Sequence, residues 1–314
     1  MASASSSKFV IYAALAGNLL VAITKFAAAA WTGSSAMLSE GVHSLVDTVN
    51  QGLMLYGIHR ASVPPDEQHP LGHGREFYFW CFIVALLIFS LGAGISVYEG
   101  VSHILHPTPV DNPYINYIVL GLSFLFESTT WWVALREFEK QRGSLSYLEA
   151  ATRSRDPATY LVLFEDSAAL VGILIAFAGT FAAEVSGIPE FDGLASIGIG
   201  LVLTLTALFL ARESKSLLIG EPAREGTRRS ILKIALGTPG VSSIGRLIIV
   251  HLAPQQIVAA FDIEFTDDFR ATQIELATAS IEDALKAKHP DVVALFVTPK
   301  SAGTGTTRTA STAQ

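Results

Sequence analysis

The sequence predicts an all-α transmembrane domain of six helices, followed by a small α+β domain. Half of the 314 residues are hydrophobic and only 16% are charged. A transmembrane helix needs about 20 apolar residues to cross a hydrocarbon core roughly 30 Å thick. Runs of about this length, which we number transmembrane helices 1 to 6, occur at 9–31, 37–58, 78–105, 114–136, 159–182 and 192–211.

Lysine and arginine fall on alternate loops between the predicted helices. They occur before helix 1, between helices 2 and 3, between helices 4 and 5, and after helix 6, whereas the loops near 32–36, 106–113 and 183–191 contain none. Because positively charged loops stay on the cytoplasmic side of a membrane, both termini are predicted to be cytoplasmic. Helix 1 is longer than the apolar core of a secretory signal, and the leader before it lacks the arginines of a transit peptide. We therefore expect no cleaved segment and predict a bacterial inner membrane as the location.

After helix 6, a Gly-Glu-Pro segment indicates a linker, and the composition becomes that of a soluble domain. Periodicity predicts the order αββαβ, with a helix at 224–236, strands at 246–251 and 257–266, a helix at 270–287 and a strand at 292–298. The last residues have no apolar side chain able to anchor them, so a disordered tail is expected. The predicted domains are a cytoplasmic N-terminus at 1–8, the transmembrane domain at 9–219, the cytoplasmic α+β domain at 220–300 and the tail at 301–314.

Composition argues against several kinds of function. The net charge of −7 comes partly from the acidic C-terminal region and does not indicate nucleic-acid binding. Cys81 is the single cysteine, which excludes an intrachain disulfide and a cysteine-based metal cluster. No H-E-x-x-H, G-x-S-x-G or phosphate-binding glycine loop occurs, so no enzymatic activity is expected.

Transmembrane helix 2 contains the segment EGVHSLVDTVNQ at 40–51, which brings ionisable groups into an apolar run. A carboxylate at the bilayer centre costs at least about 2.5 kcal/mol on insertion scales, so such groups usually mark an ion or proton path. A single buried His or Asn more often bonds to a neighbouring helix, but two ionisable groups on adjacent turns favour an ion site. Four polar residues fall on one face of this helix: Glu40, His43, Asp47 and Asn50.

Helix 5 contains a second acidic pair, Glu165 and Asp166. Small residues at helical spacing on the same helix predict that another helix approaches closely: Ala169, Gly172, Ala176 and Gly179. If that neighbour is helix 2, His43, Asp47 and Asp166 meet at one cation. Imidazole with carboxylate favours Zn²⁺, although Mn²⁺, Fe²⁺, Co²⁺ and Cd²⁺ accept the same ligands. The alternative for Glu165 is that it caps or solvates the helix near its cytoplasmic end.

The loop between helices 2 and 3 reads PPDEQHPLGHGRE. In it Asp66, His69 and His73 are spaced so that a short turn can wrap a metal ion. Since isolated loop histidines are usually only solvated, two interpretations stay open. The cluster is either a second metal site or a set of solvated side chains.

Three further ionisable groups lie within the apolar runs. Glu99 in helix 3 and Glu127 in helix 4 either pack against neighbouring helices or belong to an ion path. Lys25 in helix 1 is the obvious cationic counterpart for these acids. The sequence does not decide which acid it pairs with.

Together these residues resemble the cation diffusion facilitator family, near the branch that includes zinc transporter nine. The resemblance covers about 9–300 and rests on SEGVHSLVDTVNQ, PPDEQHPLGHGREFYFW, SRDPATYLVLFEDSAAL and ESKSLLIGE. It implies a homodimeric exporter that exchanges a metal ion for protons at a site between helices 2 and 5. It also implies a ferredoxin-like cytoplasmic domain that helps dimerisation. The expected partners are therefore a divalent metal ion, the lipid bilayer and a second copy of the chain, with no resident cofactor and no nucleic acid.

By this resemblance, His43, Asp47 and Asp166 match ligands of the transport site. The position four residues before Asp166, which is His or Asp in many relatives, is Val162 and cannot bind metal. The candidates for the fourth ligand are a water molecule or one of three side chains: Glu165, Asn50 and Glu127. The loop residues match the loop site of zinc-exporting relatives: Asp66, His69 and His73.

The cytoplasmic domain departs further from the family pattern. Its last strand, VALFVTPK, lacks the His and Asp that some relatives use for a binuclear zinc site. His251, Asp262 and Glu264 are left as weak candidate ligands. We therefore expect a domain that dimerises and holds no structural metal.

A transport mechanism follows from the chemistry of the ligands. Zinc binds neutral imidazole and ionised carboxylates, so metal and protons compete for the same groups. The expected function is a proton-coupled antiporter that exports Zn²⁺ while rocking helices expose the site to each side in turn. The alternatives are export of another divalent metal, a passive channel and a membrane-embedded metalloenzyme. A channel needs a continuous polar pore, whereas only helices 2 and 5 carry strong polar stripes.

Overall fold

The computed structural model describes residues 2–108, 112–143, 145–154, 157–223 and 225–300. The chain divides into two compact units. One comprises Met1–Arg60 and Glu76–Lys215 and is helical; the other comprises Ala61–Arg75 and Ser216–Gln314 and contains a three-stranded sheet. The predicted disordered tail at 301–314 lies outside the described residues.

The helices of the first unit follow the predicted order. Predicted helix 3 consists of two α-helices joined by a π-helical turn, and a short helix that was not predicted precedes helix 5. The bounds are α1 Ala2–Thr32, α2 Ser35–Ala61, α3 Arg75–Leu87, the π-helical turn Ile88–Ala93, α4 Gly94–Leu105, α5 Pro113–Arg142, α6 Tyr147–Arg153, α7 Pro157–Ser186 and α8 Glu190–Ile219. Transmembrane helices 2, 5 and 6 are therefore α2, α7 and α8.

Several of these helices are suited to cross a membrane. Within the described ranges, four stretches are long and apolar enough: Arg75–Leu105, Pro113–Lys140, Tyr160–Ser186 and Glu190–Ile219. The described apolar part of α1, Asn18–Thr32, is shorter, and polar residues interrupt the apolar pattern of α2. The count of six transmembrane helices stays a prediction.

A carboxylate group of α8 forms hydrogen bonds with the start of α2. Asp192, which has no exposed surface, accepts hydrogen bonds from the backbone N–H groups of Ser35 and Ala36, at 2.6 and 3.2 Å. The hydroxyl of Ser34 donates to the same carboxylate at 2.8 Å. The first N–H groups of a helix have no partner within the helix, and a negative charge beside them is stabilising. This contact therefore fixes the start of α2 against α8.

Glycines allow α4 and α8 to approach each other closely. A Cβ atom at Gly100 would lie 2.6 Å from the backbone oxygen of Gly193, and one at Gly200 would lie 2.6 Å from the side chain of Val97. Small residues at a helix interface permit this distance between membrane helices. The resulting contact holds the first turns of α8, which carry Asp192.

The second unit has the predicted element order αββαβ. Its elements are α9 Glu225–Leu236, β1 Val241–Ala253, β2 Gln256–Phe265, α10 Ala271–Lys288 and β3 Val292–Pro299. The central strand β2 pairs antiparallel with β1 and parallel with β3. Buried apolar residues of β2 alternate along the strand and form a core with both helices: Ile257, Ala259, Phe261 and Ile263. The finer assignment to a ferredoxin-like fold stays a prediction.

Strand β1 is longer than the sequence predicts. The predicted strand begins at 246, but backbone pairing continues through Ile244 with Ile263 and through Val241 with Phe265. Bulges interrupt this part of the ladder, and its serines and glycine are poor strand formers. Pairing with β2 therefore overrides local propensity here.

Two connecting segments of the second unit lie against β1 and the turn that follows it. In the loop at 61–75, a side chain at Gly74 would collide with the Gln256 side chain. In the linker after α8, the backbone oxygen of Glu221 accepts a 3.1 Å hydrogen bond from the His251 N–H. Both segments are thus in contact with the hairpin formed by β1 and β2.

Ile281→Ala is expected to lower the free energy of unfolding of the sheet unit by roughly 2–5 kcal/mol, since it opens a cavity in the core. Ile281 has no exposed surface, whereas Leu276 on the same helix is 71% exposed. Leu276→Ala is the matched control and should change stability by about 0.5 kcal/mol or less. Hydrogen exchange of the β2 amides in the full-length protein measures both effects. Equal protection in the two variants would contradict the assigned core.

Candidate metal site

The polar face predicted for helix 2 is buried within the helical unit. Its members are at most 7% exposed: Glu40, His43, Asp47 and Asn50. On the opposite face of α2, Leu45, Val49 and Tyr56 are exposed, as expected for side chains that meet lipid. The helix therefore turns its ionisable face toward the other helices.

A buried ion pair joins α1 to the first part of this face. The Lys25 Nζ atom lies 3.0 Å from Glu40 Oε2 and donates a 2.8 Å hydrogen bond to Ser44 Oγ. Lys25 and Glu40 both have no exposed surface. Removing a charge from water costs several kcal/mol unless it is paired and hydrogen-bonded. Lys25 therefore forms its ion pair with Glu40.

Side chains of α2 and α7 are in direct contact. The Asn50 amide group donates a short hydrogen bond to Glu165 Oε1, and Asp47 is within hydrogen-bonding reach of the same carboxyl group. Glu165 is 4% exposed, so it is part of the buried polar face and does not solvate a helix end.

Two more carboxyl groups approach Asp47. Glu127 on α5 and Asp166 on α7 are near enough for their charges to repel that of Asp47. Glu127 is 4% exposed, and the side chain of Asp166 approaches that of Thr130 on α5. The structure thus places Glu127 among the acids of α2 and α7, in addition to any role in helix contact.

Several polar atoms of this region are buried without a hydrogen-bond partner. They include both ring nitrogens of His43, Oδ1 of Asp47 and Oδ2 of Asp166. His43 Nδ1 lies 3.5 Å from Asp47 Oδ1. Since buried polar atoms are normally hydrogen-bonded, a group of unsatisfied nitrogen and oxygen atoms needs an explanation such as an ion or water.

These side chains do not form a compact set of ligands. In the part of the chain that the structure describes, one group of His, Cys, Asp or Glu offers three ligand atoms within 4.8 Å of one another: Asp66, His69 and His73. His43 and Asp47 lie near each other and Asp166 lies near Asp47, but the three together do not meet this spacing. Coordination of one ion by all three requires their side chains to move closer.

The small residues of α7 contact two different helices. A side chain at Gly172 would collide with the Glu40 carboxylate of α2, and one at Gly179 would collide with Ala195 of α8. Close approach of another helix is therefore present at both positions. Helix 2 is the neighbour near the ionisable groups, and helix 6 is the neighbour further along α7.

The loop at 61–75 is folded around one carboxylate. Asp66 Oδ2 lies 3.0 Å from His73 Nε2, and Asp66 Oδ1 lies 3.3 Å from His69 Nδ1. The centroids of the two imidazole rings are 4.2 Å apart. The backbone N–H groups of Gln68 and His69 donate to Asp66 Oδ1 at 2.9 and 2.6 Å. Two imidazoles and a carboxylate are thus placed side by side.

Hydrogen bonds keep Asp66 ionised. The contact with the His73 side chain, together with the backbone N–H of His69, lowers the pKa of Asp66 from 3.8 to about 2. Asp66 and His69 are exposed, whereas His73 is buried. At neutral pH the loop therefore offers a carboxylate and imidazole nitrogens that an ion can reach from water, a ligand set that suits Zn²⁺.

The candidate ligands in the sheet unit have other partners. His251 Nδ1 lies 3.4 Å from a backbone oxygen, the Asp262 carboxylate lies 3.4 Å from Lys300 Nζ, and Glu264 accepts a 2.8 Å hydrogen bond from the Ser243 hydroxyl. Among the described residues, these three do not form a shared group of ligands.

The sequence pattern points to neither the role of Asp192 nor the pairing of Lys25 with Glu40. The available signal for Asp192 is a carboxylate at the start of an apolar run, which is a favoured position for acidic residues in any helix. For the start of helix 2, the sequence offers Ser34-Ser35, since serine is a favoured N-cap residue. Neither feature predicts that Asp192 contacts the start of helix 2.

Residues 11–219 match the family of the cation efflux transmembrane domain. The chain belongs to the cation efflux family. Members of this family are membrane transporters, in agreement with the apolar helices. The resemblance to cation diffusion facilitators is thereby confirmed.

Similar proteins include eukaryotic and bacterial members of the cation efflux family. The proton-coupled zinc antiporter SLC30A9, mitochondrial, of Homo sapiens is 34% identical over 237 residues, which cover 75% of this chain and 42% of that protein. Metal tolerance protein C4 of Arabidopsis thaliana is 34% identical over 242 residues, which cover 76% and 52%. The cation-efflux pump FieF of Cronobacter sakazakii is 25% identical over 288 residues, which cover 90% of each chain. The chain thus spans about half the length of the first two relatives.

Lys25→Met is expected to destabilise the helical unit by roughly 3–5 kcal/mol, because it leaves the Glu40 carboxylate buried without a counter-charge. Adding Glu40→Gln removes that charge, so the double variant should be more stable than Lys25→Met alone. Thermal unfolding of the purified full-length protein in detergent compares the variants. A double variant that is no more stable than the single one would refute the ion pair as the cause.

Asp66→Asn is expected to weaken zinc binding to the loop roughly 10- to 100-fold, since it removes the negative charge that lies next to both histidines. The hydrogen bonds of the loop lower the pKa of Asp66 to about 2, so this carboxylate should stay ionised and able to bind zinc as the pH falls toward that value. Titration calorimetry in an Asp47→Ala background removes the contribution of the transport site. Glu67→Gln, at the adjacent exposed carboxylate, is the control and should bind as tightly as the unsubstituted loop.

Proposed function

We propose that this chain exports a divalent cation, with Zn²⁺ as the favoured ion, in exchange for protons. The cation binds between α2 and α7. The observation that carries the proposal is the set of buried nitrogen and oxygen atoms of His43, Asp47 and Asp166 that have no hydrogen-bond partner. Imidazole nitrogens and carboxylate oxygens are ligands for divalent cations of this class.

Glu165 supplies the fourth ligand in this proposal. Val162 has no donor atom, whereas the Glu165 carboxyl group is buried and is in contact with Asp47. Asn50 donates a hydrogen bond to Glu165 and so positions it toward α2. Because the ligands come from two helices, relative movement of α2 and α7 alters the binding site directly.

Ligand chemistry and relatives both support zinc. Mixed nitrogen and oxygen ligands suit Zn²⁺, and one group of relatives is named as zinc antiporters. Other relatives are named only as cation-efflux pumps, and Mn²⁺, Fe²⁺, Co²⁺ and Cd²⁺ accept similar ligands. Geometry and metal supply decide between such ions more than ligand type does. Export of another divalent metal is therefore the second candidate.

Competition between metal and protons provides the coupling. Zinc requires neutral imidazole and ionised carboxylates, so each ion that binds displaces protons, and protons on the other side displace the ion. The closeness of the Asp47 and Glu165 carboxyl groups supports this step, since their charges repel each other unless a cation or protons occupy the site. Rocking of the helices then exposes the site alternately to the two sides.

The rest of the proposal concerns the loop, the sheet unit and the membrane. Asp66, His69 and His73 form a second zinc site, supported by their compact spacing. The sheet unit dimerises the protein, with both termini in the cytoplasm. Relatives named as mitochondrial and relatives from bacteria both match the chain, and the bacterial inner membrane is the location that we propose.

Asp47→Ala and Asp166→Ala are each expected to reduce zinc flux into proteoliposomes to the level of empty liposomes, because each removes a carboxylate ligand. Wild-type flux should saturate with zinc and respond to an opposing proton gradient. The control is Thr48→Ala, since the Thr48 hydroxyl only donates a 2.9 Å hydrogen bond to the Ser44 backbone oxygen of its own helix. It should retain flux.

Two results decide against this function. Wild-type flux in both aspartate variants would exclude the site between α2 and α7. Linear flux that ignores the proton gradient in the unsubstituted protein would indicate a passive channel. Circular dichroism and size-exclusion profiles like those of the unsubstituted protein are required of each variant, so that loss of flux is not mistaken for loss of fold.

A further inference from the structure

A cavity of about 550 Å³ opens in the helical unit where α1 ends and α2 begins. Its walls come from the last turns of α1, the first turns of α2, and α4 with the residues after it. The ionisable side chains that line it all come from α4 and the residue that follows it: Glu99, His103 and His106. The cavity is separate from the face that carries Asp47 and Asn50.

Two of these side chains are placed to bind an ion from solution. Glu99 is partly buried in the wall, and His106 is exposed just beyond the last turn of α4. Thr108, whose backbone oxygen lies 3.1 Å from His103 Nε2, also lines the cavity. A carboxylate and an imidazole beside a water-accessible space are ligands for a divalent cation that keeps part of its hydration shell.

His103 forms the wall behind these groups. Its Nε2 atom lies 3.1 Å from the backbone oxygen of Thr108, and its Nδ1 atom lies 3.9 Å from Asp192 Oδ2. The first contact attaches the segment after α4 to that helix, and the second places the imidazole beside the buried carboxylate that also binds the start of α2. Since both ring nitrogens have neighbours, His103 holds the segment in place and does not serve as a ligand.

The electrostatic surroundings favour a cation. None of the described residues that line the cavity is Lys or Arg. The C-terminal end of α4, which is the negative end of a helix dipole, lies at the cavity. The N–H groups at the start of α2 would oppose a cation, but those of Ser35 and Ala36 are already bonded to Asp192.

The cavity lies along α2 from the proposed transport site. Leu38 lines the cavity, and His43 is five residues further along the same helix, a rise of roughly 7–8 Å. We assign the cavity the role of a release site for a cation that leaves the transport site toward the start of α2. This role as a release site rests on the function proposed above, whereas binding in the cavity does not.

We propose that this cavity is a second, weaker binding site for a partly hydrated divalent cation, with Glu99 and His106 as its side-chain ligands. Two side-chain ligands give lower affinity than a closed four-ligand site. Among the described residues, Glu99 and His106 do not belong to a compact group of ligand atoms. Weak binding suits an ion that must be passed on to water.

The test uses the full-length protein in detergent, Zn²⁺ as the probe, and diethylpyrocarbonate labelling of histidines read by peptide mass spectrometry. Zinc should slow the labelling of His106. In Glu99→Gln, which removes one charged ligand, the half-protecting zinc concentration should rise about tenfold. His59, an exposed histidine near the other end of α2, is the internal control and should be labelled at an unchanged rate.

Three outcomes overturn the inference. One is labelling of His106 that is unchanged up to about 1 mM Zn²⁺, a concentration that would fill even a weak site. Another is equal protection in Glu99→Gln and the unsubstituted protein. The third is loss of protection in Asp47→Ala, because His106 would then report a movement driven by the transport site and not direct binding.

The same variants separate this inference from the proposed function. Asp47→Ala should lose flux but keep zinc protection of His106. If Asp47→Ala keeps both flux and protection, the transport site is wrong and the cavity site stands. If it loses both, the cavity inference fails and the transport site stands.

Discussion

The helical unit depends on keeping the charges of α2 away from lipid. Ionisable groups within a membrane are costly, so they must face protein or water and find partners there. Two neighbouring helices supply such partners. Lys25 of α1 pairs with Glu40, and Glu165 of α7 accepts the hydrogen bond of Asn50. The rotation of α2 about its own axis is therefore set by polar contacts on one face, since its other face carries interchangeable apolar side chains.

Close helix contact complements these polar partners. Gly172 leaves room for the Glu40 carboxylate between α2 and α7, and Gly100 lets α4 lie against the first turns of α8. Between apolar helices in lipid, association depends on such contact because there is no hydrophobic driving force. The position of Asp192, and with it the start of α2, follows from this arrangement of α4 and α8.

The two candidate metal sites differ in how close together their candidate ligand atoms lie. Asp66, His69 and His73 lie together in a loop held by backbone hydrogen bonds, whereas the ligands on α2 and α7 must move to close on one ion. A transported ion has to leave as well as enter, so its site must not bind too tightly. The looser arrangement between α2 and α7 fits the transport site that we propose, and the compact loop fits the second zinc site that we propose.

The sequence alone determined the features that depend on local periodicity. These are the positions of the apolar helices, the αββαβ order of the sheet unit and the shared face of Glu40, His43, Asp47 and Asn50. They are predictable because side-chain direction along one helix or strand follows from its own geometry. The close spacing of Asp66, His69 and His73 could be predicted for the same reason, since all three lie within one short loop.

Only the tertiary structure decided which side chains meet across the chain. The Ser34 hydroxyl and Asp192 are 158 residues apart, and Asn50 and Glu165 are 115 residues apart. Such contacts depend on how each helix is rotated and shifted against its neighbours, which no local pattern specifies. For the same reason, the pairing of Lys25 with Glu40 and the location of Glu127 beside Asp47 could not be derived from the order of residues.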